Sequence, residues 1–166
     1  MNEQNVAETL VDSFDDQERK LSLAESCTGG LISAEITTVS GASSVLQEGI
    51  VCYSNRSKIR RLGVDPETIE EVGSVSEEVA VEMVKGSFLL PEITDALSVT
   101  GIAGPSGGTE EKPVGTVWFA MKSHEEPVIT AHREFDGDRS AVRRKSTSFA
   151  LQLLQDPDCG VPLHER

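Results

Sequence analysis

The chain has 166 residues and a formal net charge of −13, from 28 acidic and 15 basic side chains. That length suits one domain, residues 1–166, which can bury a core without a disulfide or a metal. The acidic surplus repels phosphate backbones and argues against nucleic acid as a partner, while a small phosphorylated ligand needs only a few local cations.

Three cysteines, Cys27, Cys52 and Cys159, show no CxxC spacing. An odd, unpaired set points to a reducing cytoplasm rather than a disulfide framework or a zinc site. His124, His132 and His164 lack ligand spacing, so no metal and no cofactor is expected. No run approaches ~20 apolar residues, so no membrane span is expected. The first twenty residues are acidic and lack an apolar signal-peptide core.

In chain order, Val6, Leu10, Val11 and Phe14 share one face at helical spacing and predict an amphipathic helix. Residues 21–24 read as a short buried strand running into Glu25-Ser26-Cys27-Thr28-Gly29-Gly30, and 31–39 as a helix. Residues 40–44 form a loop and 49–53 a strand. Ser54 or Asn55 can cap a helix through Lys58 to Leu62, and Asp65-Pro66 starts another that Gly73 closes. Ser76 caps a helix with Glu77 and Glu78 in its first turn. Residues 95–100 read as a strand, 101–108 as a glycine-rich loop, and 115–121 and 127–135 as strands. Asp138 caps a last helix, and the segment 156–166 reads as a polar, frayed tail. The alternation predicts a three-layer α/β/α sandwich with a mixed, mostly parallel sheet.

Four segments could carry chemistry. Residues 24–30 place hydroxyls and glycines where a strand meets a helix, the crevice in which open α/β sheets bind ligands. Free amides there could hold a phosphate or an oxyanion, or the segment is only a capped turn. Lys58 lies one turn into a helix after a strand. Desolvated, it could serve as a base; otherwise it is a solvated lysine among Arg56, Arg60 and Arg61. The loop after Thr100 permits close backbone approach to a ligand, or is a flexible connection; it is neither a Walker A loop nor a dinucleotide fingerprint. Arg139, with Arg143 and Arg144 nearby, could grip phosphate at a helix start, or be a surface arginine beside a capping Asp138. No histidine is placed for a classical triad, so a lysine, carboxylate or tyrosine is the expected base.

Read together, AESCTGG (24–30), SGASS (40–44), VCYSN..K (51–58), LGV (62–64), GSVSEEVA.EM (73–83), VTGIAGPSGGTEEKPVGTVWFA (99–120) and FDGDR..VRR (135–144) resemble the CinA C-terminal domain, the nicotinamide mononucleotide (NMN) deamidase family. The strings follow family order over nearly the whole chain. Ala42, within the serine-rich run, and Cys52, before Tyr53, depart slightly from the pattern. The resemblance implies hydrolysis of the NMN carboxamide to nicotinic acid mononucleotide and ammonia. Carried over by motif, Ser26 would be the nucleophile and Lys58 its base. Arg139 would assist, binding substrate phosphate and disfavouring protonated Lys58. Tyr53 and Ser44 would support by hydrogen bonding. Glu25, Cys27, Thr28, Gly29, Gly30, Thr100, Gly101, Ile102, Ala103 and Gly104 would line the nucleotide pocket. The resemblance also implies a cytoplasmic homo-oligomer, a dimer, and strand 115–121 is expected to be an exposed apolar surface that favours it. Two other readings stay open: a nucleotide-binding module without catalysis, and an interaction protein of the competence and damage response.

Overall fold

The computed structural model describes residues 3–124 and 126–162. Helix α1 (Glu3–Asp16) leads into strand β1 (Leu21–Glu25) and helix α2 (Leu31–Ile36). Strand β2 (Leu46–Val51) is followed by three helices, α3 (Asn55–Leu62), α4 (Pro66–Val72) and α5 (Glu77–Gly86). Then come β3 (Asp95–Gly101), β4 (Thr116–Ser123), β5 (Ile129–Glu134), α6 (Arg139–Gln155) and a two-residue β6 (Val161–Pro162).

The caps fall where the sequence places them, because a side-chain oxygen there satisfies an amide that the first turn leaves unpaired. Ser54 rather than Asn55 caps α3, accepting from Ser57 N at 3.1 Å. Asp65 caps α4 with Pro66 at its start. Ser76 caps α5 through Val79 N, and Asp138 caps α6 through Ala141 N.

The six strands run in the order β2-β1-β3-β4-β5-β6. Helices α1, α2 and α6 cover one face, where Leu10, Phe14, Ile32, Val142 and Leu151 pack on Leu23, Leu97, Val99, Val117 and Phe119. Helix α5 covers the other, with Val79 and Met83 against Ala24 and with Ala80, Val81 and Val84 against Ala96 and Ala120. Alternation along β3 and β4 sends successive side chains to opposite layers, which gives the expected α/β/α sandwich.

The sheet is mixed, but less parallel than expected. Only β2-β1 and β1-β3 are parallel; β3-β4, β4-β5 and β5-β6 are antiparallel. A parallel return needs a crossover, usually helical. The chain supplies helices between β1 and β2 and between β2 and β3, but only loops between β3 and β4 and between β4 and β5. Strand β4, expected as an exposed apolar surface, lies inside the sheet, with Val117, Phe119 and Met121 in the core. Its apolar run is explained by burial on both faces and offers no docking surface. Of the segment 156–166, expected to fray, residues 157–159 form a 3-10 turn and 161–162 pair along β5, while 163–166 lie outside the described residues. Arg133 Nη2 donates to Cys159 O at 3.0 Å and holds that turn down.

At the N-terminal end of β3, the Asp95 carboxylate is 1% exposed and accepts from Arg19 Nε at 2.9 Å, Ser123 Oγ at 2.6 Å and Thr94 Oγ1 at 2.7 Å. Burial pushes this carboxyl up, but its hydrogen bonds outweigh burial and hold it below the ordinary 3.8. Stability from Asp95 is therefore full above that ordinary value and is lost as pH falls through the lower folded one. Asp95→Ala leaves the half-buried Arg19 cation without its partner and is expected to cost about 3–5 kcal/mol, read from urea unfolding at neutral pH. The cost should shrink towards zero in acid.

Candidate functional site

Strand order β2-β1-β3 puts a switch point beside β1, where connections leave in opposite directions; ligand crevices of open α/β sheets open there, past the carboxyl ends of the strands. Glu25 pairs with Val51 and with Val99, so the ends of β1, β2 and β3 lie side by side. Beyond them opens a cleft of about 160 Å³ lined by Ser26, Cys27, Tyr53, Asn55, Lys58, Ser74, Val75, Gly101, Ala103 and Arg139. All four sequence-predicted segments contribute to it.

Ser26 sits in the turn between β1 and α2 and is 6% exposed. Its amide donates to Val99 O at 3.0 Å, and its carbonyl accepts from Gly29 N at 3.0 Å. Gly29 (φ +62°) and Gly30 (φ +96°) take left-handed conformations that side chains resist, which lets the chain turn at once into the helix. Neither the Ser26 hydroxyl nor Lys58 donates to the other, although both line the cleft. Catalytic hydrogen bonds are often long in a ligand-free site.

Lys58 is not a solvated lysine. It is 3% exposed, while Arg56, Arg60 and Arg61 of the same helix are exposed. Its Nζ donates to Thr100 Oγ1 at 3.0 Å and to Ser74 O at 3.3 Å. Thr100 Oγ1 in turn donates to Ser74 O at 2.7 Å. Burial lowers the Lys58 pKa from its ordinary 10.5, against smaller upward pushes from Cys27 and Cys52. Arg139 is not what disfavours the lysine cation. Its guanidinium is engaged elsewhere, donating to Gly104 O at 2.8 Å and to the hydroxyl of Tyr53. Burial alone does what a neighbouring cation was expected to do.

Glu25 is not among the residues that line the cleft. It is fully buried, and both oxygens are taken: Oε2 accepts from Thr28 Oγ1 (2.7 Å), Gly30 N (2.9 Å) and Ile32 N (3.2 Å), and Oε1 from Ser33 N (2.8 Å) and Ser33 Oγ (2.7 Å). The carboxylate itself occupies the start of α2, so those amides are not free to hold a substrate phosphate. Acceptance of several amide bonds by an anion at a helix start is favourable. Thr28 is likewise buried and tied to Glu25.

Cys27 touches the cleft, but its thiol is pushed up to about 12, mainly by burial. A thiol so rarely ionised is a poor nucleophile. Gly101 has to be glycine: a Cβ there would lie 2.7 Å from Val117 Cγ2 and 3.0 Å from Cys27 Sγ. Ala103 lines the cleft, while Ile102 ties the loop back to β4, its amide donating to Thr116 O at 2.9 Å. Ser44 is not brought to the cleft. It lies before β2, at the opposite end of the strands, and its hydroxyl donates to Gly41 O at 2.8 Å.

Three cleft groups were missed. Asn55 was read only as a possible cap. Ser74 and Val75 belong to the link into α5, and their contribution is carried partly by a backbone carbonyl, which no side-chain pattern announces. Lys112, from the glycine-rich segment, anchors this link by donating to Val72 O at 2.6 Å and Val75 O at 2.8 Å. Among the described residues no three metal-ligating side chains cluster, and no helix is long and apolar enough to cross a membrane.

The family model for the CinA C-terminal domain matches residues 3–157. The nicotinamide-nucleotide amidohydrolase PncC of Escherichia coli K12 is 50% identical over 131 residues, 79% of either chain. A CinA-like protein of Kosmotoga olearia is 41% identical over 153 residues, 92% of this chain but 37% of its own. Among solved structures, a competence/damage-inducible protein from Agrobacterium tumefaciens superposes with a TM-score of 0.90 at 37% identity, covering 94% of this chain and 95% of its own. A CinA superfamily protein from Escherichia coli superposes at 0.87 and 30% identity, covering 93% and 89%. A buried strand-end cleft, the segments that build it, and matches along most of the chain agree: this chain belongs to the CinA C-terminal domain family.

Proposed function

We propose that this chain is an amidohydrolase that converts NMN to nicotinic acid mononucleotide and ammonia, with Ser26 as nucleophile and Lys58 as base. The single observation that carries the reading is the burial of Lys58 at the cleft, which lowers its pKa and favours the neutral amine. A neutral amine has two hydrogens and one lone pair. Two acceptors, Thr100 Oγ1 and Ser74 O, stand within reach of its nitrogen, so the lone pair is left for the cleft that Ser26 also lines. Burying a lysine is costly unless its proton is easily shed. A module that only bound nucleotide would gain nothing from that cost.

In the proposed reaction, Lys58 takes the Ser26 hydroxyl proton as Oγ attacks the carboxamide carbon. The carbonyl oxygen becomes an oxyanion. Lys58 then passes the proton to the departing nitrogen, the C–N bond breaks, and ammonia leaves an ester on Ser26. Lys58 next takes a proton from water as the water oxygen attacks the ester, then gives it to Ser26 Oγ as the ester C–O bond breaks, and the acid leaves and ionises to the carboxylate. Arg139, held at the cleft by Tyr53 and Gly104, is the cleft-lining cation that meets the substrate phosphate. The 50% identity to a nicotinamide-nucleotide amidohydrolase supports NMN as the substrate.

The test is ammonia release from NMN by purified, chelator-treated protein. Stoichiometric ammonia and nicotinic acid mononucleotide are expected. Binding of NMN without ammonia release would leave a nucleotide-binding module instead.

A further inference from the structure

The long connection between β3 and β4 sends one lysine out to the link that enters α5. Lys112 Nζ donates to Val72 O at 2.6 Å and to Val75 O at 2.8 Å. Its own place is fixed by the turn it closes: Thr109 N donates to Lys112 O at 2.8 Å, and Lys112 N donates to Thr109 Oγ1 at 3.0 Å. Among the described residues no carboxylate lies within ion-pair reach of Lys112, so its ammonium is spent on backbone carbonyls. Lys112 does not line the cleft, and the proposed chemistry does not use it.

Between the two carbonyls that Lys112 holds lie Gly73 O and Ser74 O. Gly73 O accepts from Ser76 Oγ at 2.9 Å, so the peptide planes on both sides of the Ser74–Val75 plane are tied down. Each plane is rigid, and only the dihedrals between planes are soft. The Ser74 carbonyl is thus fixed in direction, and Lys58 rests on it. Lys58 Nζ donates to Ser74 O at 3.3 Å, and Thr100 Oγ1 donates to it at 2.7 Å, which leaves the Thr100 oxygen to accept from Lys58 at 3.0 Å. Ser74 and Val75 also line the cleft that Lys58 lines. The same connection offers Gly104 O to Arg139, so it holds one cleft side chain directly and the other through the link.

We infer that Lys112 is a positioning residue that locks the Ser74 carbonyl and the link around it against Lys58, keeping the base dry and its hydrogens occupied. This rests on the reading of Lys58 as base. Lys112 acts through the carbonyls it holds and never touches the substrate. Burial is the largest influence on Lys58 and pushes its pKa down, while Cys27 after β1 and Cys52 after β2 push it up. Tyr53 and Arg139 line the same cleft and bond to each other. Helix α5 faces α3 with apolar Val79 and Met83, and β3 and the link present the Thr100 hydroxyl and the Ser74 carbonyl, which do not titrate in this range. Were the link to loosen, water would enter, replace the lost carbonyl as acceptor and solvate the ammonium, so the Lys58 pKa would climb back towards 10.5.

The experiment compares wild type, Lys112→Met and Lys112→Arg by kcat and KM for NMN across pH, and by urea midpoint across the same range. Methionine keeps the apolar stem and deletes both donors. Its rate limb is expected to move about one unit alkaline, lowering the rate near neutrality about tenfold, with KM and the kcat above the limb within about threefold of wild type. Arginine keeps donors for both carbonyls and should return the limb to its wild-type place. A merely structural loss would lower the rate at every pH and leave the limb where it was, and that result would overturn the proposal. So would a raised KM with an unmoved limb, which would make Lys112 a substrate ligand. Inactive wild type, or a wild-type rate without the limb, would remove the reading of Lys58 as base, and the urea comparison then decides on Lys112 alone. Both variants lack the Lys112 amine, so the difference between them reports Lys58. The rise of stability with pH below 10.5 should be smaller in Lys112→Met than in Lys112→Arg, and equal rises would overturn the proposal. If the methionine variant does not fold, Lys112→Gln, which keeps one donor, should show a smaller shift in the same direction; an unmoved limb there would overturn it as well.

Discussion

Ser26→Ala is expected to lower kcat for NMN hydrolysis by about four to six orders of magnitude, as removal of a catalytic serine does elsewhere. The fold should be untouched. Ser26 is held by its backbone, through Val99 O and Gly29 N, and among the described residues its side chain donates to no neighbour. Removing one hydroxyl from such a place changes stability by about 0.5 kcal/mol or less. Cys27 cannot substitute, because its thiol, at about 12, is almost wholly protonated at neutral pH. Ammonia release and a thermal melt on the same sample check both halves. A variant that melts like wild type and keeps its rate would remove Ser26 from the mechanism.

Lys58→Met should be nearly as severe, with kcat falling about 10²–10⁴-fold, the range for loss of a general base. Methionine fills the apolar part of the site, and Thr100 Oγ1 keeps its own acceptor in Ser74 O, so no buried donor is orphaned. The pH profile separates the base role from simple disruption. Because burial lowers the Lys58 pKa, the wild-type rate should climb with pH through a value below the ordinary 10.5 as the neutral amine accumulates. The methionine variant should lack that limb. Stability follows the same group with its own sign. Between the lowered folded value and 10.5, the unfolded chain binds the extra proton, so wild-type stability rises with pH across that window. Lys58→Met should flatten this rise, measurable as the difference in urea midpoint across the window.

Much of the site was legible because its residue types are unusual for their places. Glycines beside hydroxyls at a strand end, a lysine one turn into the next helix, and an arginine after a capping Asp138 all fell on one cleft. The elements were legible from periodicity and caps, as Ser54, Asp65, Ser76 and Asp138 illustrate. What failed shares a cause: a residue type does not say which partner will claim it. Glu25 looked like a ligand group beside Ser26, yet the start of α2 takes all of it. Ser44 matched a motif but lies at the far end of the strands. Apolar strand 115–121 suggested an exposed surface, when its hydrophobicity reflects an interior place between β3 and β5. The sheet was read as mixed, and it is; only the share of parallel pairs was overestimated, since direction depends on what connects two strands and not on the strands themselves.

The central claim is covalent catalysis by Ser26, and the most direct test is intact-mass analysis of protein quenched with acid during NMN turnover. The account predicts a transient adduct equal in mass to NMN less ammonia, mapping to the peptide that contains Ser26 and absent from Ser26→Ala. Turnover without any adduct, together with an active Ser26→Ala protein, would contradict it and point to direct attack by water.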